Sequence, residues 1–148
     1  MNRYSTVAAV VLLATIVGCN SSTRSPSPRP TFPGATIANG KSIFQTGKDS
    51  GGVQIAAHPP ALKPRCAACH GAAGSGGVHL PGGAVSADLR HKALVTDQRP
   101  PYTLALLERA ISTGVDNQGQ RLNRVMPRWK LSKRDLHDVA EYVLTQLR

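Results

Sequence analysis

The clearest pattern lies at the end of the chain, where Leu136, Val139, Ala140, Val143, Leu144 and Leu147 recur at three- and four-residue spacing. That spacing puts one apolar stripe on a helix, and the stripe must pack on something. Ser132 stands where an N-cap belongs, Asp135 falls at the third helical position, and Leu131 and Leu136 occupy the places of a hydrophobic staple. A second helix is predicted from about Thr103 to Thr113. Leu104, Leu107, Ala110 and Ile111 share one side of it, Pro100 and Pro101 precede it, and Gly114 stops it. The earliest helix of the domain is predicted over about Thr36 to Gln45, in TIANGKSIFQ. Gly40 costs roughly 1 kcal/mol relative to Ala inside a helix, so its presence there predicts close approach by another backbone. Val139 and Tyr142 of the last helix offer the surface for Gly40 and Phe44. No alternating apolar run is long enough for a strand, so the predicted fold class is all-α.

Before Thr36 the pattern changes. Arg3 lies in a short polar head, an apolar run extends from Val7 to Val17, and Gly18 precedes Cys19. This is the layout of an export signal, well short of the roughly 20 apolar residues a spanning helix needs. IVGC, Ile16 to Cys19, also resembles the bacterial lipoprotein box, so residues 1–18 are expected to be cleaved and Cys19 to carry lipid. Asn20 to Ala35 is rich in proline and serine and reads as a tether; in an extended polyproline conformation it would reach roughly 50 Å. The folded domain is then 36–148.

Composition adds two constraints. Aromatic residues make up only 4% of the 148, too few to supply the usual share of a small core, so something else must fill that space. The formal charge is +10, and loss of residues 1–18 with Arg3 leaves about +9. Such a balance favours an acidic partner or an anionic membrane surface. It does not point to nucleic acid here, because the basic residues are scattered and no aromatic-interleaved basic stripe runs through them.

RCAACHG, Arg65 to Gly71, carries the chemistry. With Cys19 assigned to the anchor, Cys66 and Cys69 remain. A bare C-x-x-C could be a redox dithiol or half of a zinc site, but the first would want a surrounding βαβ pattern and the second another pair of ligands. C-x-x-C-H is instead the attachment signature of a c-type haem. Two residues between the thiols let both sulfurs reach the vinyl groups on one edge of the porphyrin, and the next residue brings its imidazole under the iron. Cys66 and Cys69 are the expected thioether anchors and His70 the proximal ligand of one covalently bound haem c. The macrocycle would also be the missing apolar mass of the core.

What fills the sixth position decides between electron transfer and catalysis. Met126 is the one methionine left after signal cleavage, and Pro127 keeps it out of helical geometry and on a loop. It is the favoured distal ligand. His58, His79, His91 and His137 compete, with His137 expected on an exposed helical face and the other three in Gly/Pro-rich loops. Arg128 and Trp129 follow the loop closely enough to bond a propionate and pack on the haem, although Trp129 is equally suited to a plain core position.

From about Ile37 to Leu147 the chain resembles the class I c-type cytochromes. NGKSIF, with Gly40 and Phe44, is similar to the first helix of that family, CAACHG to its haem-binding segment, and DVAEYVL, with Val139 and Tyr142, to its last helix. The run from Arg99 to Leu136 resembles the part of monohaem bacterial cytochromes in which a methionine before proline is the distal ligand. The resemblance implies three to five short helices wrapped around one covalent haem, with the first and last helices crossing at the glycine and the aromatic. In one respect the chain departs from compact members: Gln45 to Arg65 intervenes before the haem cysteines. A loop of that length is expected to fold over a haem edge and shape a docking surface. Gly71 to Leu89 is expected to wrap the haem irregularly.

The resulting expectation is a non-enzymatic single-electron carrier, lipid-anchored on the extracytoplasmic, periplasmic face of either the inner or the outer bacterial membrane. Its partner would be an acidic redox protein or a membrane oxidoreductase complex. The alternatives are a haem enzyme or gas sensor with a displaceable sixth ligand, and a dedicated subunit of an oxidase or dehydrogenase complex.

Overall fold

The computed structural model describes residues 36–148. The signal segment, Cys19 and the tether lie outside the described residues. Four helices carry the architecture: α1 (Ile37–Thr46), the single turn α2 (Ala67–His70), α3 (Leu104–Thr113) and α4 (Lys133–Gln146). A 3₁₀ turn at Pro81–Gly83 and a π-helical turn at Lys92–Thr96 sit in the connections. Among the described residues no helix is long and apolar enough to cross a membrane.

The long helices begin where their capping residues dictate. Thr36 accepts from the Asn39 amide at 3.0 Å, Thr103 from Leu106 at 3.3 Å and Ser132 from Asp135 at 3.1 Å, so each start loses an orphan donor. Gly114 takes the left-handed conformation that closes α3, as its position in the sequence predicts, with φ 71°. Leu107, Ala110 and Ile111 of the predicted face are buried, and on α4 so are Val139, Ala140 and Val143.

α1 and α4 form the most extensive helix pair. They cross at Gly40, where a Cβ would stand 2.6 Å from the Asp138 carbonyl carbon and 2.8 Å from Tyr142 Cβ. The backbone approach predicted from that glycine is therefore present. One turn further along α1, Phe44 meets Tyr142 with ring centroids 5.7 Å apart and planes inclined at 52°, a tilted arrangement that suits the ring quadrupoles. Next to the glycine, Asn39 donates from Nδ2 to Asp135 at 2.9 Å and Asp138 at 2.7 Å, and its Oδ1 accepts from the Ser50 amide at 2.7 Å. One side chain thus joins α1, α4 and the loop after α1.

The mostly helical fold agrees with the all-α expectation, to which the structure adds one short ladder. β1 (Ala56–His58) and β2 (Arg128–Lys130) pair antiparallel, with Ala56 opposite Lys130, Ala57 opposite Trp129 and His58 opposite Arg128. Three residues per strand are too few to leave a period-two signal, and the pairing joins segments far apart in sequence. The fold is mostly helical with this small ladder added. Its position matters, because β1 belongs to the long segment between α1 and α2, and β2 starts two residues after Met126.

A correction concerns His137, which is buried rather than exposed, at 5% relative accessibility. α4 lies against α3 on that side, so Nδ1 reaches Glu108 at 3.1 Å and Nε2 stands 3.8 Å from Glu141.

Candidate cofactor site

Cys66 and Cys69 flank and enter the single turn α2, whose hydrogen bonds start from the Cys66 carbonyl: His70 N donates to it at 3.0 Å and Cys69 N at 3.1 Å. The turn presents both thiols and the imidazole to a cavity of about 510 Å³, inside the roughly 300–1,000 Å³ range of cofactor-sized sites. The sulfurs are free thiols, not a disulfide. Burial pushes the Cys66 thiol up to about 12, so it is a protonated, uncharged group facing an apolar space.

His70 is buried, and desolvation lowers its pKa, with a smaller opposing effect from its bond to Ala87. Nδ1 lies 2.9 Å from the Ala87 carbonyl. A carbonyl can only accept, so Nδ1 carries the hydrogen and Nε2 keeps its lone pair, the tautomer a metal ligand needs. The loop that supplies Ala87 is itself fixed to the motif: Gly76 N donates to the His70 carbonyl at 2.9 Å and Leu89 N to Gly74 at 2.7 Å. The Gly-rich segment from Gly71 therefore does fold around the cavity, and Leu80, Ala84 and Val85 line its wall. Nothing in the sequence singles out Ala87, because any residue offers a carbonyl.

Met126 lines the same cavity, on an irregular segment as Pro127 predicts. The four predicted haem residues are thus brought together. Of the competing histidines none lines this cavity: His91 is bonded to the Leu144 carbonyl at 2.9 Å, His137 is held between Glu108 and Glu141, and His58 and His79 are exposed elsewhere. Trp129 lines the cavity and is also a buried core residue, so both of its readings hold. Arg128 does not line it; its guanidinium turns back to the Met126 and Leu122 carbonyls.

The remaining wall is built by Phe44, Leu107, Ile111, Val139 and Val143 from the three long helices and by Pro59 to Leu62 from the segment after β1. Lys63, Arg65, Ser86 and Asn123 are polar members of the lining, and the lining holds no carboxylate. An apolar slot with basic groups at its edge suits a flat apolar group that carries anionic substituents. Among the described residues there is no cluster of three or more His, Cys, Asp or Glu donors, so C-x-x-C has no partner set for a zinc centre.

A helical domain that closes an apolar slot around a C-x-x-C-H turn defines a haem-binding protein of the c type. The cytochrome c family model matches residues 37–146, and the chain belongs to the cytochrome c family. Family membership implies haem c with its iron and a role in haem-based electron transfer. Comparison with curated proteins and with solved structures gave no match.

Proposed function

We propose that the protein is a tethered monohaem carrier of single electrons with histidine and methionine as axial ligands. The observation that carries this reading is the meeting of Cys66, Cys69, His70 and Met126 at one apolar cavity that no other histidine lines. Cys66 and Cys69 are the thioether anchors of a single haem. His70 offers Nε2 because the Ala87 carbonyl holds Nδ1–H, and Met126 offers its thioether from another part of the same lining. When bound, the group supplies a one-electron ferric/ferrous couple, and thioether ligation raises its potential relative to two histidines. The protein side excludes water with the α1, α3 and α4 side chains, keeps both axial donors in place and sets Lys63 and Arg65 where propionates can be paired. The cavity lining offers no carboxylate and no second imidazole for proton transfer, which favours a carrier over an enzyme.

In the same reading Cys19 is lipidated after removal of residues 1–18, and residues 20–35 let the domain range over the extracytoplasmic surface of a bacterial membrane. Its partner presents an acidic face. The support is the charge pattern: Lys63 and Arg65 line the cavity, and Arg121, Arg124 and Arg128 line an adjoining cleft of about 810 Å³ that also lacks carboxylates. Such a surface steers acidic proteins in encounters that weaken with salt.

The test is an optical spectrum of the haem-loaded protein, oxidised and reduced, in wild type and Met126→Ala. A weak long-wavelength sulfur-to-iron band in oxidised wild type, lost in the variant, establishes the His/Met carrier. Absence of that band, with free binding of carbon monoxide by the reduced wild type, replaces the carrier by a sensor or enzyme with an open sixth position.

A further inference from the structure

We propose that Arg128 is the positioning residue for Met126, a clamp that holds the 122–126 loop against the end of α3; the inference rests on Met126 being the sixth ligand, as set out above. The guanidinium spans both ends of that loop. Nη1 donates to the Met126 carbonyl and Nη2 to the Leu122 carbonyl, the latter at 3.0 Å. Bonds inside the loop, Met126 N to the Asn123 carbonyl at 3.2 Å and Val125 N to Asn123 Oδ1 at 3.0 Å, shape the turn without tying it to anything else.

The anchor for the clamp is Gly114. Leu122 N donates to the Gly114 carbonyl at 2.9 Å, so the start of the loop is already tied to the end of α3. Gly114 has φ 71° and no Cβ, and the guanidinium occupies the space a side chain would take: a Cβ there would stand 2.5 Å from Nη2 and nearer still to Nε and Cζ. A cation at the C-terminal end of a helix is also favoured by the helix dipole. Arg128 itself is fixed by the β1–β2 ladder, in which it faces His58. A planar fork can serve two carbonyls at once, whereas a lysine ammonium at the end of a flexible stem would serve them poorly together. Freed from the clamp, the loop would let the Met126 sulfur leave the iron more often, and a small ligand would enter faster.

The experiment compares haem-loaded full-length wild type, Arg128→Ala, Arg128→Lys, Gly114→Ala and Met126→Ala. It reads the carbon monoxide association rate of the reduced protein and the long-wavelength band of the oxidised one, with far-ultraviolet circular dichroism to follow the fold. Arg128→Ala should bind carbon monoxide about tenfold faster than wild type or more, the scale of one charge-assisted hydrogen bond. Its band should be weakened but present, and Arg128→Lys should fall between. Gly114→Ala, which keeps the arginine but displaces it, should shift both readouts in the same direction. If Arg128→Ala does not load, the lysine and Gly114 variants make the same comparison. Rates and bands indistinguishable from wild type in the variants that load would overturn the clamp while leaving Met126 as ligand. A wild type that lacks the band and binds carbon monoxide like Met126→Ala would remove the ligand assignment and the clamp with it.

Discussion

The Asn39 amide donates to the Asp138 carboxylate at 2.7 Å in an interface where the two residues are 2% and 1% accessible. Asp138 Oδ1 has no hydrogen-bond partner among the described residues, so its buried charge depends on the contacts made through Oδ2. Replacing Asn39 by Ala should destabilise the haem-loaded protein by about 3 kcal/mol, the cost of leaving a buried charged group short of its donor. Chemical denaturation would measure this. Asn39→Asp should be worse, because it sets a third carboxylate beside Asp135 and Asp138.

Gly40→Ala should be more severe than its single added methyl suggests. The new Cβ would overlap the Asp138 carbonyl, and backbone cannot rotate away as a flexible side chain can. The helices must separate, with loss of about 3 kcal/mol or more of stability. Thermal melts of the holoprotein, or failure to accumulate it, would show the effect; a melt equal to wild type would mean that the α1–α4 crossing is not as close as described.

Removing both attachment points should remove the core. In Cys66→Ala/Cys69→Ala the slot bounded by Leu107, Ile111, Val139 and Val143 would lose the haem proposed to fill it, and a cavity of about 510 Å³ would not be sustained by those walls. The expected result is a chain with reduced helix content and no cooperative thermal transition. A sharp melt from this variant would show that the side chains alone make a sufficient core.

Electron exchange with a small anionic oxidant such as ferricyanide should slow as salt is added, because the linings of the cavity and its adjoining cleft include cations and no carboxylate. Exchanging Arg121 and Arg124 for Glu should lower the low-salt rate several-fold and flatten its salt dependence. Stopped-flow rates across ionic strengths would decide; equal slopes in wild type and variant would put the reactive surface elsewhere.

Legibility followed the range of the interactions. α4 could be read from its stripe and its Ser132–Asp135 start because both are local, and so could the Thr103 and Gly114 ends of α3. The α1–α4 crossing was legible because a glycine inside a helix is locally unfavourable and calls for a tertiary reason. C-x-x-C-H is written in five consecutive positions and Met126 is marked by Pro127, so the candidate ligands stood out before any fold was known. By contrast, the Asn39 bridge to Asp138 and the Ala87 carbonyl on His70 join residues 99 and 17 positions apart, and the Arg128 clamp, whose partners are only 2 and 6 residues away, depends on the turn that brings them to one side chain. The partners of His70 and Arg128 are backbone carbonyls, which leave no trace in residue identity. His137 is buried for a related reason: it sits where α4 packs on α3, and its Nδ1 partner Glu108 belongs to that other helix.

The β1–β2 ladder gives the long segment before the haem motif a role that its irregular sequence does not suggest. By pairing His58 with Arg128 and Ala57 with Trp129, it ties the strand that leads into the Pro59–Leu62 part of the slot wall to the strand that follows Met126. In the proposed His70/Met126 carrier, such bracing would limit how far the sixth ligand shifts between oxidation states and so keep the reorganisation energy of each electron transfer small.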